Sequence, residues 1–230
     1  MARTSRPIPI LLTALVAFFS ALVALAVSHG ETAHAHGVET HHAVHSTAVV
    51  TRNELTLRNG MRKLWEDHVT WTRLAIISLT TGAPDTNATV SRLLKNQADI
   101  GNAIKPFYGR AAGERLTAEL RQHILIAADL IAAAKKGEQT ALADAQARWE
   151  KNADDIAALL HSVNPRQWPL AALKAELHKH LRLTTEEAVA RLQGNWAADV
   201  AAYDQIHVHA LHVADLLSGG IVKQFPRRFR

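Results

Sequence analysis

Cysteine is absent from the 230 residues. That removes a disulfide framework, a cysteine-ligated zinc ribbon, haem attached through Cys-x-x-Cys-His, a thiol nucleophile and a lipoprotein anchor. Aromatic side chains make up only 5% of the chain, and Val, Thr and Tyr do not cluster into strand-like runs, so a β-sandwich or barrel is excluded. No Gly-rich phosphate loop, Ser-centred nucleophile elbow or His-Glu-x-x-His pair is present. Clustered cations for nucleic acid are missing from the body of the sequence as well. Six of the 26 Lys and Arg residues (Arg3, Arg6, Lys223, Arg227, Arg228 and Arg230) lie at the two ends, and the remaining 20 balance 21 Asp and Glu. The formal charge of +5 is therefore an end effect, and no nucleic-acid partner is expected.

What is present is 48% hydrophobic residues and 14 histidines. The hydrophobic fraction is too high for a disordered chain, and the length suits one domain with tails. At the amino end, Arg3 and Arg6 precede an uncharged stretch from Pro7 to Val27. Cations ahead of an apolar run direct the downstream chain across a membrane. Ala24-Leu25-Ala26 fits a signal-peptidase site, Ala33-His34-Ala35 is a weaker one, and the run nears the ~20 residues that span a bilayer. Residues 1–27 are thus expected to be a signal peptide or a membrane anchor, and the body to work outside the cytoplasm. Residues 28–50 form a polar linker holding six histidines: His29, His34, His36, His41, His42 and His45. Such an arm either captures metal adaptably or is a plain spacer.

From Thr51 the apolar spacing is three-to-four, which predicts helices throughout. Breakers at Gly82-Ala83-Pro84, Pro106, Gly109, Gly137, Pro165, Pro169, Gly194 and Gly219-Gly220 divide the sequence into six expected helices: 51–81, 88–105, 112–136, 139–162, 169–193 and 196–218. A basic tail, 220–230, completes the chain; its Pro-Arg-Arg-Phe-Arg end (226–230) is expected to fray, the alternative being contact with anionic lipid or polymer.

These helices repeat. Segments 64–82, 119–137 and 176–194 align without gaps, each with a histidine (His68, His123, His180) 14 residues before a glycine (Gly82, Gly137, Gly194). A glycine there suits a left-handed helix C-cap. A returning helix then carries NQADIGNAI (96–104), NADDIAALL (152–160) or HALHVADLL (209–217). Its first polar residue lies about as far past the glycine as the histidine lies before it. At ~1.5 Å per residue both stand ~21 Å from the bend. His68 should therefore meet Asn96, His123 meet Asn152, and His180 meet His209, with Asp99, Asp155 and His212 one turn further on. The fold expected is all-α, an up-down bundle of three αα-hairpins crossed by one polar layer.

That layer reads in two ways. As a metal site for Zn, Cu or Fe, its ligands would come from His68, His123, His180 and His209 or His212, with Asp99, Asp155, Glu119 and Glu176 ligating or orienting. As architecture, the same His–Asn and His–Asp pairs would fix helix register with no metal at all. The leading expectation is an extracytoplasmic protein that binds a transition metal without turnover. A structural or interaction module is one alternative, and a metal-dependent enzyme, which needs an open coordination position, is another. Trp65, Trp71, Trp149 and Trp196 are expected in the core. His161, His178 and the Glu186-Glu187 pair are expected at the surface. Tyr203 and His207 are spaced to touch.

The wording LWEDHVTWTR (64–73), KPFYG (105–109), NADDIA (152–157), NPRQW (164–168), HLRLTTEEAV (180–189) and GIVKQFP (220–226) resembles a family of small bacterial all-helical proteins across 55–226. Some members of that family carry the names glycosyltransferase or acetylglutamate kinase. Neither is supported by this sequence, which has no nucleotide-binding βα pattern. The resemblance implies a helical fold and brings no activity, cofactor or site residue with it.

Overall fold

The structure is a computed structural model that describes residues 50–230. The expected signal or anchor (1–27) and nearly all of the His-rich linker lie outside the described residues. The described chain forms five helices, α1 (Arg52–Thr81), α2 (Thr86–Lys136), α3 (Gln139–Val163), α4 (Leu170–Leu192) and α5 (Trp196–Gln224), then a 3-10 turn at Pro226–Arg228. Their boundaries are local chemistry. The Thr51 hydroxyl accepts from the Glu54 N–H and Asn195 from the Ala198 N–H, each capping a helix start. Gly82, Gly137 and Gly194 all take φ near +70°, as the three bends require.

One expectation changes form. The segments foreseen as separate helices 88–105 and 112–136 are two limbs of α2, folded back on each other at Gly109 (φ 84°, ψ 170°) with no intervening loop. That backbone conformation is open essentially to glycine alone. The return is tight: a Cβ on Gly101 would fall 2.6 Å from the Gly113 carbonyl oxygen, and one on Gly113 would fall 2.6 Å from that of Gly101. Further along, Arg121 donates to the Leu94 carbonyl at 3.2 Å across the two limbs.

Six limbs therefore run up and down in a closed ring. α1 packs on the first limb of α2, the second limb on α3, α3 on α4, α4 on α5, and α5 back on α1. Arg62 crosses the closing seam between α1 and α5, its Nε donating to Asp215 at 2.8 Å. The core is aliphatic, with Leu93, Leu142, Leu183, Ile206 and Ile221 fully buried. Two apolar voids of about 40 Å³ each occupy the interior, one bordered by Ala75, Leu93, Ile124 and Ala188, the other by Met61, Ile104, Leu116 and Leu217.

The end of the ring away from the three bends gathers motifs that are distant in sequence. Tyr108 lies against Trp168 and Phe225, with ring centroids 5.4 and 5.6 Å away, and Phe107 stacks near Phe229 at 6.0 Å. Asn164 donates to the Gly220 carbonyl at 3.1 Å, and Trp168, wholly buried, fills the space a Cβ on Gly220 would need. The tail is docked rather than frayed. Phe229 is buried, its carbonyl accepts from Thr51 at 2.7 Å, and Arg228 reaches the Pro106 carbonyl at 2.7 Å.

Candidate functional site

His68, His123 and His180 come from α1, the second limb of α2, and α4, which are alternate limbs of the ring. All three are buried, as is His209 on α5. The His180 ring is central, with centroids 5.6 Å from His68, 6.1 Å from His123 and 6.2 Å from His209. Trp65 and Trp149, both buried as expected, set their rings 5.5 Å from His68 and 5.2 Å from His123. Constant spacing from three glycine bends thus brings three imidazoles to one height.

The bonding repeats with them. Asn96 donates to the Leu64 carbonyl at 3.0 Å, Asn152 to the Glu119 carbonyl at 3.2 Å, and His209 Nε2 to the Glu176 carbonyl at 3.1 Å. Each acceptor lies four residues before the layer histidine of its hairpin. The Asn152 amide also donates to Glu119 Oε2 at 3.2 Å, so its Oδ1 faces His123 Nδ1 at 2.8 Å. That orientation puts the proton of His123 on Nδ1 and leaves a lone pair on Nε2. His68 sits against Asn96 and also against Gln97, whose Nε2 lies 3.3 Å from its Nδ1. Gln97, fully buried, is a member that sequence reasoning missed. None of the described residues gives the His180 ring a hydrogen bond.

Burial keeps the layer neutral. Desolvation lowers His68 from 6.5 to about 4, aided by neighbouring His123 and opposed by the Asn96 hydrogen bond. Desolvation lowers His123 to about 4 as well, against the Asn152 bond. His180 is pushed well down by burial first and then by His68, His123 and His209. His209 is lowered by burial, with Glu176 pulling the other way.

The remaining expected ligands stand at or beyond the rim. Glu119 touches the layer through Asn152. Glu176 Oε2 lies 3.5 Å from His209 Nδ1, and its Oε1 lies 3.5 Å from His212 Nε2. Asp99 pairs with Lys95 at 3.2 Å, Asp155 with Lys151 at 2.6 Å, and the His212 side chain is 60% exposed. The i,i+3 step turns a side chain roughly 60° from its predecessor, which in this ring carries Asp99, Asp155 and His212 out of the layer. Among the described residues, no group of three or more His, Asp or Glu is arranged to hold a metal ion.

A second polar cluster joins α1, α4 and α5 on the bend side of the layer. Arg73 donates to Glu187 at 2.8 Å and to Asp199 at 2.8 and 3.2 Å, and Arg191 reaches Asp199 at 3.0 Å. Both carboxylates are 1% exposed. Burial pushes the Glu187 carboxyl up to about 7, against the pull of Arg73. The expected solvated Glu186-Glu187 pair is thus half right: Glu186 meets Arg182 at 2.7 Å at the surface, while Glu187 is internal. Its place seven residues after His180, two turns along one face, was the available signal. Tyr203 carries Arg73 over its ring at 4.7 Å and stacks on His207 at 6.0 Å, as its spacing suggested. Trp196, expected in the core, is 58% exposed beneath the Arg191 guanidinium.

The class these features define is an all-α, up-and-down bundle of repeated hairpins with a buried imidazole–amide layer. Comparison with protein-family models, curated proteins and solved structures returns no match.

Proposed function

We propose that the chain is a non-enzymatic helical module working outside the cytoplasm, whose imidazole–amide layer fixes how its three hairpins associate. The threefold recurrence of one bond, from the returning helix to the carbonyl four residues before the layer histidine, carries this reading. The three carbonyl bonds of this layer form in one register only, although Gln97 Oε1 and His209 Nδ1 have no partner among the described residues even there. Sliding a hairpin by a turn would leave a buried amide and an imidazole unpaired, at ~1–3 kcal/mol each. The extracytoplasmic placement rests on the charged-then-apolar amino-terminal stretch.

One observation favours a second reading, transition-metal binding without turnover at His68, His123 and His180. The central His180 ring is buried with no hydrogen-bond partner among the described residues, and the Nε2 lone pair of His123 is uncommitted. Neutral nitrogen donors oriented by amides would suit Zn²⁺ or Cu²⁺ better than iron. Turnover would further need an open coordination position; the voids on either side are lined mainly by apolar side chains, with Thr72, Thr184 and Trp149 bordering one and Trp65, Trp168 and Glu176 the other.

Metal content of the purified full-length chain, compared with His180→Ala after dialysis, separates the two. Architecture predicts equal metal content and a lower melting temperature for the variant. Loss of one equivalent of metal in His180→Ala, with metal raising the melting temperature of the parent only, would replace it with the metal reading. Metal held by the amino-terminal histidines is common to both proteins and cancels.

A further inference from the structure

The excess positive charge that looked like a tail effect in sequence is gathered by the fold onto one end of the bundle. Hydrogen bonds there tie four chain segments together: Thr51 to Phe229, Arg228 to Pro106, Tyr108 to Gln224 at 2.8 Å, and Gln224 to Val163 at 3.0 Å. Across residues 51–58, 103–114, 161–170 and 219–230 there are nine Lys and Arg but only two acids, Glu54 and Glu114. Both acids are already matched, by Arg58 at 2.8 Å and Arg110 at 3.1 Å. Arg52, Arg166, Lys223, Arg227 and Arg230 are exposed and have no carboxylate partner among the described residues. At the opposite end cations and acids are balanced: Lys136 pairs with Glu138 and Arg191 with Asp199, while Lys135 and Asp85 bond to a carbonyl and a hydroxyl instead. The backbone beneath the tail cations is packed down by the aromatic cluster and the buried Phe229.

The chain enters the bundle at this same end, at Thr51, and the uncharged stretch 7–27 lies only 23 residues upstream. We infer that this basic end is a docking surface for the anionic phosphate headgroups of a membrane. Unmatched cations carried on an already folded backbone need no backbone ordering on contact and gain from a surface of opposite sign, while the charge-balanced far end stays in water. Each such cation near an anionic bilayer strengthens binding by a factor of about five. This inference is independent of what the histidine layer does.

The test uses the full-length chain and vesicles of phosphatidylcholine alone or with about one third phosphatidylglycerol, the lipid fraction being set by the usual anionic surface charge. The readout is the ratio of the two partition coefficients, in which any contribution of residues 7–27 common to both lipids cancels. The expected ratio at low salt is at least tenfold. It should collapse toward one at 500 mM NaCl and fall at least tenfold in the variant Arg166→Gln/Lys223→Gln/Arg227→Gln/Arg230→Gln, with an unchanged melting temperature. A second variant, Lys95→Gln/Lys136→Gln/Arg148→Gln/Lys179→Gln, removes as many cations elsewhere and should keep most of the preference. A ratio near one for the parent, or equal losses in the two variants, would overturn the inference. Abolition of vesicle binding by 10 mM inorganic phosphate at constant ionic strength would also overturn it, by assigning the cations to a free-phosphate site.

Discussion

Acid should unfold this protein through its histidine layer, and the contribution of one imidazole can be isolated. A histidine whose folded value lies below its unfolded value of 6.5 contributes stability that is fully present above 6.5 and lost as pH falls toward the folded value. For His123, lowered to about 4, the native state is disfavoured by about 2 kcal/mol on going from pH 7 to pH 5. His68 has the same folded value and adds about as much again, and His180 works in the same direction. Glu187 opposes them. Its carboxyl, raised to about 7, binds a proton more readily in the folded state and returns about 2 kcal/mol over the same interval. The clean quantity is therefore a difference between proteins. Urea unfolding followed by circular dichroism at pH 7 and pH 5, on the parent and on His123→Gln, cancels Glu187 and every surface carboxylate. The variant starts less stable, but its loss between the two pH values should be smaller by about 2 kcal/mol. Equal losses would mean that His123 already shares its proton equilibrium with solvent, and the buried neutral layer would not stand.

Two further expectations concern packing and buried charge. Gly220→Ala places a Cβ 2.0 Å from the Trp168 indole nitrogen and should cost roughly 2–4 kcal/mol in thermal unfolding. Gly60→Ala on α1, where nothing lies within 4 Å, should instead stabilise by about 0.5–1 kcal/mol. If the two behave alike, the docking of the α3–α4 loop onto α5 is wrong. Asp199→Asn strands Arg73 and Arg191 beside one remaining carboxylate and should cost about 3 kcal/mol. Asp215→Asn, which frees only the exposed Arg62, should cost under about 1 kcal/mol in the same urea titration.

Helix content, the three glycine bends and the shared height of His68, His123 and His180 were legible in the one-dimensional order. Each depends on neighbours in sequence: a 3.6-residue period, a left-handed cap, and equal counts of residues on either side of a bend. His123 meets Asn152 for that reason. What residue counting could not supply was the angle at which each side chain enters the ring. Gln97 is in the layer and Asp99 outside it, although both come after Asn96 within one turn. Glu187 is inside beside Arg73 because a limb from the other side of the ring supplies its counter-charge, and no local pattern encodes a partner 114 residues away. The basic end is the fullest case. Composition alone assigned its charge to a loose terminus, and only ring closure, which brings residues 51, 106, 164 and 229 together, turned scattered cations into a surface.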